Sequence, residues 1–432
     1  VRITIILNET GSLIVMVNKI AIACQGGGSH TAFTAGVLKR ILKENKKKYD
    51  IIALSGTSGG AICALLTWYG LLTGGSDKAI KMLESFWKDV SANTLGDMLM
   101  NEWIVETSYI QDKILIPQIS PYDFPPFYQQ YLRSLIEKQV DFEKVSQFKN
   151  PKPELIIGAV DVLSGNFSVF KNSRINSDVV VASAAIPTFF RAVPVDTYLF
   201  SWDEIPGNDS ERLIEFLKQN YSIDWIKTAK IEKIDDNKTI RASVEGNYLS
   251  LSLNNEKNKV NLIIDDGRTD EFIVDREDGM SNIIKKSQYW DGLFSQNPPL
   301  RDFVDGVEIK PEEIWVIQIN PREISKIPDS VGAIRDRRNE LAGNLSLYQE
   351  LYFIEKVNEW IEKGLLEKRK YKYIKVKFIK MLRELDVETK LDRNPKFIED
   401  MMSYGEEQAG KFIKQLPSEP IKKEPFSNVI YK

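Results

Sequence analysis

The segment 56–60 is the part of this chain whose residue types and spacing point most directly to chemistry. Its sequence is Gly-Thr-Ser-Gly-Gly, which has the form Gly-x-Ser-x-Gly, and it lies between two apolar runs. A serine on a tight turn between a strand and a helix is held exposed, and flanking glycines remove Cβ atoms that would clash. The N-terminus of the following helix directs N–H groups at the serine oxygen. Ser58 is therefore a candidate nucleophile on a nucleophile elbow, with Gly56 and Gly60 as the glycines of the turn.

Three consecutive glycines, Gly26, Gly27 and Gly28, are candidate donors to the oxyanion that forms when a serine attacks an ester. They lie between a short predicted strand and a predicted helix over 32–43. A glycine-rich loop at this place presents bare N–H groups at a helix N-terminus. The N–H of Gly59, next to the nucleophile, is a further candidate donor. Each such donor lowers the barrier by roughly 3 kcal/mol in known enzymes.

The base that would accept the proton of the serine has two candidates. His30 is the chain's single histidine, but it lies inside the glycine-rich loop, where packing or substrate lining is the alternative role. Asp291, in Asp-Gly, follows the aromatic residues Tyr289 and Trp290. An exposed aspartate with a pKa of about 4 is a poor base for a hydroxyl. Neighbouring aromatic rings would exclude water from Asp291 and raise its pKa.

Four sequence motifs, called blocks here, occur in the same order as in one known protein family. The blocks are Gly-Gly-Gly at 26–28, Gly-Thr-Ser-Gly-Gly at 56–60, Ala-Ser-Ala-Ala-Ile-Pro-Thr-Phe-Phe at 182–190 and Asp-Gly at 291–292. Together they resemble the patatin-like phospholipase family, and segments 314–321 and 389–395 resemble its bacterial members. The resemblance covers nearly the whole chain except the early residues and 197–287. It implies an α/β fold with three α/β/α layers around a central, mostly parallel sheet.

The family uses a Ser–Asp dyad in place of a triad, and this assigns roles by resemblance. Ser58 would be the nucleophile, Asp291 the base, and glycines 26–28 the oxyanion loop. Thr31 stands where the family's loop often has another glycine, and Leu293 stands where a glycine or alanine is common. These two departures affect the loop and the turn that carries the base.

The resemblance implies a serine acyl hydrolase, phospholipase A-like, which cleaves acyl esters of lipids or phospholipids through an acyl-enzyme. Two alternatives remain open. One is a carboxylesterase or thioesterase that uses the same dyad on soluble acyl substrates, and the other is a non-catalytic lipid-binding protein. A comparison of vesicle and monomeric substrates separates the first two classes.

The organisation of the chain is predicted from changes in its residue pattern. Between 231 and 274 apolar and polar residues alternate and are separated by turn dipeptides, which is typical of an antiparallel meander. The expected segments are an N-terminal extension at 1–18, with Met16 as an alternative start; a first part of the catalytic core at 19–196; an inserted β-rich module at 197–287; a second part of the core at 288–416; and a tail at 417–432.

Composition narrows the classes of partner. The formal net charge of −3 gives no argument for nucleic-acid binding. Cys24 and Cys63 both lie in apolar segments and predict reduced thiols in a cytoplasmic protein. One histidine excludes a His-rich metal site, and the dyad needs no cofactor. The expected partner is a lipid or acyl-ester substrate, with transient contact at a membrane surface. The aromatic stretch Tyr122 to Tyr131 is a candidate for that contact, or for packing.

Two further polar residues have structural interpretations that are favoured over catalytic ones. Ser183 lies among small residues without the glycines of an elbow, which predicts a packing or backbone role in a helix near the site. Asp161 follows a predicted strand, and a turn carboxylate is the simpler interpretation.

Overall fold

The computed structural model describes residues 5–7, 13–15, 18–44, 49–94, 97–98, 101, 120–187, 189–221, 223–277, 279–367 and 371–416. Contacts divide the chain into two compact units, one formed by Val1–Val193 with Tyr289–Lys432 and the other by Pro194–Gln288. Within the expected extension, two short strands pair antiparallel, and Met16 lies outside the described residues. The expected tail at 417–432 also lies outside them.

The strands are β1 (Ile5–Leu7), β2 (Leu13–Val15), β3 (Asn18–Cys24), β4 (Tyr49–Gly56), β5 (Glu154–Asp161), β6 (Phe167–Lys171), β7 (Val193–Ser201), β8 (Lys230–Ile234), β9 (Thr239–Val244), β10 (Asn247–Asn254), β11 (Lys259–Ile264), β12 (Thr269–Glu277), β13 (Met280–Asp291), β14 (Glu313–Gln318) and β15 (Lys375–Lys380). The α-helices are α1 (Ala32–Glu44), α2 (Gly59–Val90), α3 (Phe127–Gln139), α4 (Phe142–Ser146), α5 (Ser177–Ser183), α6 (Ser210–Tyr221), α7 (Asp302–Asp305), α8 (Val331–Glu362) and α9 (Pro395–Gln415).

A parallel sheet forms the centre of the first unit. Its strands lie in the order β15-β14-β3-β4-β5, and each neighbouring pair is parallel. Residues 20–24 of β3 are fully buried, as expected for a parallel sheet that is covered on both faces. On the far side, β6 and the last three residues of β13 pair antiparallel with β5. The carboxyl ends of β3, β4 and β14 therefore meet at one edge of the sheet.

Helices cover both faces of this sheet. On one face, the alternate residues Ala21 and Ala23 of β3 share an apolar cluster with Leu347 and Ile354 of α8. On the other face, Trp315 of β14 packs edge-on against Phe412 of α9, with ring centroids 5.0 Å apart. The same layer contains α1 and α2, because Lys39 of α1 pairs with Glu84 of α2 and Glu406 of α9 at 2.9 and 2.8 Å. The expected α/β class is confirmed.

The second unit, Pro194–Gln288, contains an antiparallel meander. Strands β8 to β12 pair consecutively, and β12 pairs with β13. Alternate residues of these strands, such as Leu249 and Leu251, are fully buried beside Leu213 and Leu217 of α6. Phe216 of α6 packs edge-on against Phe272, with ring centroids 5.4 Å apart. Alternation of apolar and polar residues along each strand therefore supplies one buried face.

Two helix and strand boundaries differ from those that the residue pattern predicts. The residue pattern of 78–99 predicts a helix there. The structure has this helix after a break in α2 at Gly75, where φ is 75° and ψ is −167°, but the helix ends at Val90. Glycine at position 75 permits this backbone conformation, which residues with a side chain rarely adopt. Alternation of residue types over 371–378 predicts a strand there, but β15 begins at Lys375, where pairing with Glu313 of β14 begins. Among helices in the described part of the chain, none has the length and apolar character that crossing a membrane requires.

Candidate active site

Ser58 lies at the carboxyl end of β4, immediately before α2. Its backbone has φ 56° and ψ −133°, in the left-handed half of conformational space that non-glycine residues rarely adopt. Its N–H donates to both the carbonyl and the hydroxyl of Ser183, each at 3.1 Å. A Cβ atom at Gly60 would lie 2.3 Å from the carbonyl oxygen of Cys24, so only glycine fits there. The strained turn that the Gly-x-Ser-x-Gly pattern predicts is present.

Ser183, at the end of α5, holds the turn in place through hydrogen bonds. Its hydroxyl accepts the N–H of Ser58 and donates to the carbonyl oxygen of Gly158 in β5 at 2.7 Å. Because both functions of the hydroxyl are used within the protein, it is a structural link between α5, β5 and the elbow. This is the backbone role that the sequence favours for Ser183.

Asp291 is the last residue of β13, and antiparallel pairing with β5 brings it to the site. Its N–H donates to the carbonyl of Ala185 at 3.0 Å, and Oδ1 accepts the N–H of Leu293 at 2.8 Å. The side chain is buried, with 1% of the residue exposed. Burial raises the pKa of Asp291 to about 7, although hydrogen bonds from the Leu293 N–H and the Ser58 hydroxyl oppose that rise.

The side chains of Asp291 and Ser58 are neighbours, but they do not form a regular hydrogen bond. The Ser58 hydroxyl lies near enough to lower the pKa of Asp291. In contrast, Oδ2 of Asp291 is buried without a hydrogen bond of regular length and angle from any described residue. Oδ2 is therefore an open acceptor beside the serine. Catalytic hydrogen bonds in enzymes without substrate are often long or poorly aligned.

The glycine-rich loop touches the elbow. A Cβ atom at Gly26 would lie 2.7 Å from Cβ of Ser58, so the close approach requires glycine. The N–H of Gly26 donates to Oδ1 of Asn297 at 2.7 Å and is therefore engaged. Within the described residues, the N–H groups of Gly27, Gly28 and Gly59 donate no hydrogen bond. Three unpaired donors thus lie in the loop and at the start of α2.

A buried polar network holds this loop, and sequence reasoning missed it. Gln25 accepts the N–H groups of Ile319 and Asn320 through Oε1, each at 2.8 Å. Its Nε2 donates to Oδ1 of Asn344 in α8 at 3.1 Å. Asn320 Nδ2 donates to the carbonyl of Gly26 at 3.1 Å, which fixes the loop from the other side. The only signal in the sequence is an amide residue beside each motif, and that signal names no partner.

The hydrogen bond of His30 goes to neither candidate catalytic group. Its Nε2 is 2.7 Å from the hydroxyl of Thr389, and the ring is buried, with 2% of the residue exposed. Burial, and then the charge of Lys390, lowers the pKa of His30 to about 3. No hydrogen bond to Ser58 or Asp291 is present among the described contacts. The ring fastens the loop to the segment before α9, which is the packing role left open by the sequence.

The two departures from the family pattern have local explanations. The Thr31 hydroxyl donates to the carbonyl of Gly28 at 2.6 Å and so closes the loop. Leu293 contributes its N–H to Oδ1 of Asp291, a contact that needs no particular side chain. Asp161 accepts the N–H groups of Leu163 and Ser164 at 2.9 and 3.2 Å, which makes it a turn carboxylate. Among the described residues, no group of three His, Cys, Asp or Glu is arranged to hold a metal ion.

Comparison with known proteins gives one family match. Residues 22–203 match the model of the patatin-like phospholipase family. A search of curated proteins found no match. Among solved structures, the crystal structure of VipD from Legionella pneumophila has a TM-score of 0.32 and 10% identity. The comparison covers 95% of this chain and 69% of the VipD chain.

Proposed function

Because residues 22–203 match the model of the patatin-like phospholipase family, we propose that the protein is a lipid acyl hydrolase with a Ser58–Asp291 dyad. The family implies hydrolysis of acyl esters of lipids. The observation that carries the finer assignment is the buried Asp291 carboxylate, whose open Oδ2 and raised pKa make it a base beside the strained Ser58.

In the acylation step, Ser58 Oγ forms a bond to the acyl carbon while its proton passes to Oδ2 of Asp291. The carbonyl oxygen becomes an oxyanion, and the N–H groups of Gly27, Gly28 and Gly59 stabilise it. The engaged N–H of Gly26 shapes the loop in this proposal and does not donate to the oxyanion. The carbon–oxygen bond to the leaving alcohol then breaks, and the alcohol takes the proton from Asp291.

Deacylation uses the same catalytic groups, with water in place of the serine as the nucleophile. Asp291 accepts a proton from water as the water oxygen attacks the acyl carbon, and the second oxyanion occupies the same donors. When the bond to Ser58 Oγ breaks, the proton on Asp291 returns to the serine. A base with a pKa of about 7 suits this exchange, because it is ionised often enough to accept a proton and basic enough to hold it.

The proposal is tested by ester hydrolysis with the wild type, Ser58→Ala, Asp291→Asn and His30→Ala. The substrates are a chromogenic acyl ester and phospholipid vesicles, and circular dichroism checks folding. We expect the first two variants to lose at least about a hundredfold in rate, since a positioned base contributes that much or more. His30→Ala is expected to stay active. Full turnover by folded Asp291→Asn would refute the dyad, and an inactive His30→Ala would return a triad to consideration.

A surface of aromatic side chains supports lipid over soluble esters as the substrate. Tyr122, Phe124 and Phe127 are each more than half exposed, and so is Phe189. Arg191 fixes the segment that carries Tyr122 and Phe124 by donating to the carbonyls of residues 121, 122 and 124. Exposed phenylalanine rings gain free energy by entering an apolar layer, and the ring of Tyr122, which has one polar end, suits the boundary between water and lipid. This surface, defined by the four aromatic residues, is proposed to contact a membrane transiently.

Vesicle hydrolysis tests that surface. Phe127→Ser is expected to lower the rate on phospholipid vesicles but to leave the rate on a monomeric chromogenic ester unchanged. Tyr248→Ser, which alters an exposed aromatic residue of the other unit, is the matched control. Equal rates on vesicles for both variants would refute the role of this surface, whereas a wild type that hydrolyses only the monomeric ester would favour the carboxylesterase alternative.

A cytoplasmic location is also proposed. Cys24 and Cys63 are buried and form no disulfide, which is usual for a protein of a reducing compartment.

A further inference from the structure

The segment that precedes α9 packs against the glycine-rich loop. A Cβ atom at Gly28, where φ is 57°, would lie 2.4 Å from the carbonyl oxygen of Lys390. Only a glycine fits at that distance, so the backbone of Lys390 is in direct contact with the loop. Gly28 carries one of the N–H groups proposed to stabilise the oxyanion. The position of the Lys390 backbone therefore limits the position of this donor.

A hydrogen bond beside this contact joins the same two segments. The hydroxyl of Thr389 donates to the carbonyl of Asp386 at 2.5 Å, so its oxygen accepts a hydrogen bond from Nε2 of His30 at 2.7 Å. These residues begin the segment 389–395, which the sequence singles out without giving it a role. Its first two residues hold the glycine-rich loop at His30 and at Gly28.

The side chain of Lys390 fastens this segment to α8. Its Nζ is 2.6 Å from Oδ1 of Asp336 and 3.4 Å from Oε1 of Glu340, two residues about one turn apart on α8. Glu340 also accepts a hydrogen bond from Arg337 at 3.1 Å. The side chains of Lys390, Asp336 and Glu340 are each less than a fifth exposed, so salt and water screen these pairs weakly. Two cations and two carboxylates thus form a balanced, mostly buried cluster.

We propose that Lys390 is a positioning residue of the oxyanion loop, whose ion pairs with α8 hold the backbone that packs against Gly28. This role rests on the proposed hydrolysis, and it is not a catalytic one. Among the described contacts, Nζ of Lys390 bonds carboxylates of α8 and neither Ser58 nor Asp291. A buried ion pair adds little stability over apolar side chains of the same shape, so its retention here is explained by the geometry that it fixes.

Steady-state hydrolysis of a chromogenic ester by Lys390→Met tests the alignment. We expect kcat to fall about ten- to a hundredfold, less than for the loss of a complete oxyanion donor, because the donors remain but are aligned less well. KM should change little, since the oxyanion develops in the transition state. An unchanged kcat, or a loss of kcat/KM that comes from KM alone, would overturn the proposal.

Lys377→Met is the matched control. Nζ of Lys377 also forms a mostly buried ion pair, 2.7 Å from Glu313, which begins β14 and so lies at the opposite end of that strand from the site. Each variant leaves a carboxylate without its cation, so both should unfold at lower urea concentration than the wild type. Only Lys390→Met should lose kcat per folded molecule. An equal fall in both would indicate a general weakening of the fold and no positioning role.

Two further variants test whether the ion pair itself acts. Lys390→Arg keeps the charge and the reach to Asp336, so its kcat should stay within about fivefold of the wild type. Asp336→Asn removes the same pair from the side of α8. The double variant should lose no more kcat than Lys390→Met alone, because the two residues act through one contact. Additive losses, or a folded Lys390→Arg as slow as Lys390→Met, would contradict this assignment.

Amide hydrogen exchange separates this proposal from the proposed hydrolysis. Peptides that cover residues 25–31 should exchange faster in Lys390→Met than in the wild type and Lys377→Met, because the N–H of His30, which donates to the carbonyl of Gly27 at 3.2 Å, opens with the loop. Faster exchange alongside a wild type that cleaves no ester would refute the hydrolysis but support the attachment of the loop. Unchanged exchange and unchanged kcat would refute the role of Lys390 and leave the hydrolysis standing.

Discussion

The side chain of Asn297 joins the loop that follows Asp291 to the glycine-rich loop, and its truncation probes how the oxyanion donors are positioned. Asn297 is fully buried, and Oδ1 accepts the N–H of Gly26 at 2.7 Å. Its Nδ2 makes no hydrogen bond with the described residues. The change Asn297→Ala therefore removes a single hydrogen bond and leaves the Gly26 N–H buried without an acceptor.

The expected effect has two parts. An unsatisfied buried donor costs about 1 to 3 kcal/mol, so the free energy of unfolding should fall by that amount. A loop that is no longer held beside Ser58 loses part of its alignment with the oxyanion. A loss of 1 to 3 kcal/mol in the transition state corresponds to a fall in kcat of roughly 5- to 150-fold. KM should change little, because the alignment is needed chiefly in the transition state.

The assay combines urea unfolding with steady-state hydrolysis of a chromogenic ester. Asn101→Ala is the matched control, because Asn101 is also a buried asparagine whose Oδ1 accepts a backbone N–H, that of Arg393, at 2.8 Å. We expect both variants to lose stability, but only Asn297→Ala to lose kcat per folded molecule. Unchanged kcat in Asn297→Ala, or an equal fall in Asn101→Ala, would show that the link to Gly26 does not position the donors.

Three further predictions concern the dyad and its support. The rate kcat/KM should rise with pH through about 7, because Asp291 accepts a proton only when ionised; a profile flat from pH 5 to 9 would contradict this. Since the folded pKa of Asp291 is raised from 3.8 to about 7, its contribution to stability is complete below about pH 4 and is lost as pH rises through 7. The burial cost of the charge at pH 8 is then up to about 4 kcal/mol, so urea unfolding should find Asp291→Asn more stable than the wild type at pH 8 and similar to it at pH 4. Ser183→Ala should lower the free energy of unfolding by about 1 to 2 kcal/mol, because the Gly158 carbonyl loses its donor. Its kcat should fall less than tenfold, because the Ser58 N–H keeps the Ser183 carbonyl as acceptor.

The elbow could be predicted from the sequence because its signal is local. A strand, the pattern Gly-x-Ser-x-Gly and a helix are contiguous, so Ser58 needs no long-range contact to be recognised. The α/β class, which the resemblance implies, also agrees with a local pattern, because residues 19–72 read as strand, loop, helix, strand, turn and helix. The expected insertion, 197–287, also has a local pattern, and the compact unit of the structure is Pro194–Gln288.

The polar network around the glycine-rich loop could not be predicted, because its members are distant in the chain. Gly26 and Asn297 are 271 positions apart, and Asn320 is 294 positions from Gly26. Only the parallel pairing of β3 with β14 and the return of β13 to β5 bring them together. An amide residue beside a motif gives no periodic signal, since hydrogen bonding of a buried side chain depends on what surrounds it. The sequence therefore offered all three glycines as donors, whereas the structure shows that the N–H of Gly26 is engaged.

Helix α8 supports both halves of the proposed catalytic apparatus. Asn344 of α8 accepts Nε2 of Gln25, which precedes the glycine-rich loop, and Ser346 accepts the N–H of Asn297 at 3.2 Å. One turn further on, Glu350 accepts Nε2 of Gln296 at 2.5 Å and backbone N–H groups of the segment that follows. Burial raises the pKa of Glu350, and these donors oppose that rise. Since one rigid helix holds the loop of the oxyanion donors and the loop that follows the base, their spacing is set by a few residues of α8. Fixed spacing of this kind is what stabilises an oxyanion without reorganisation during the reaction.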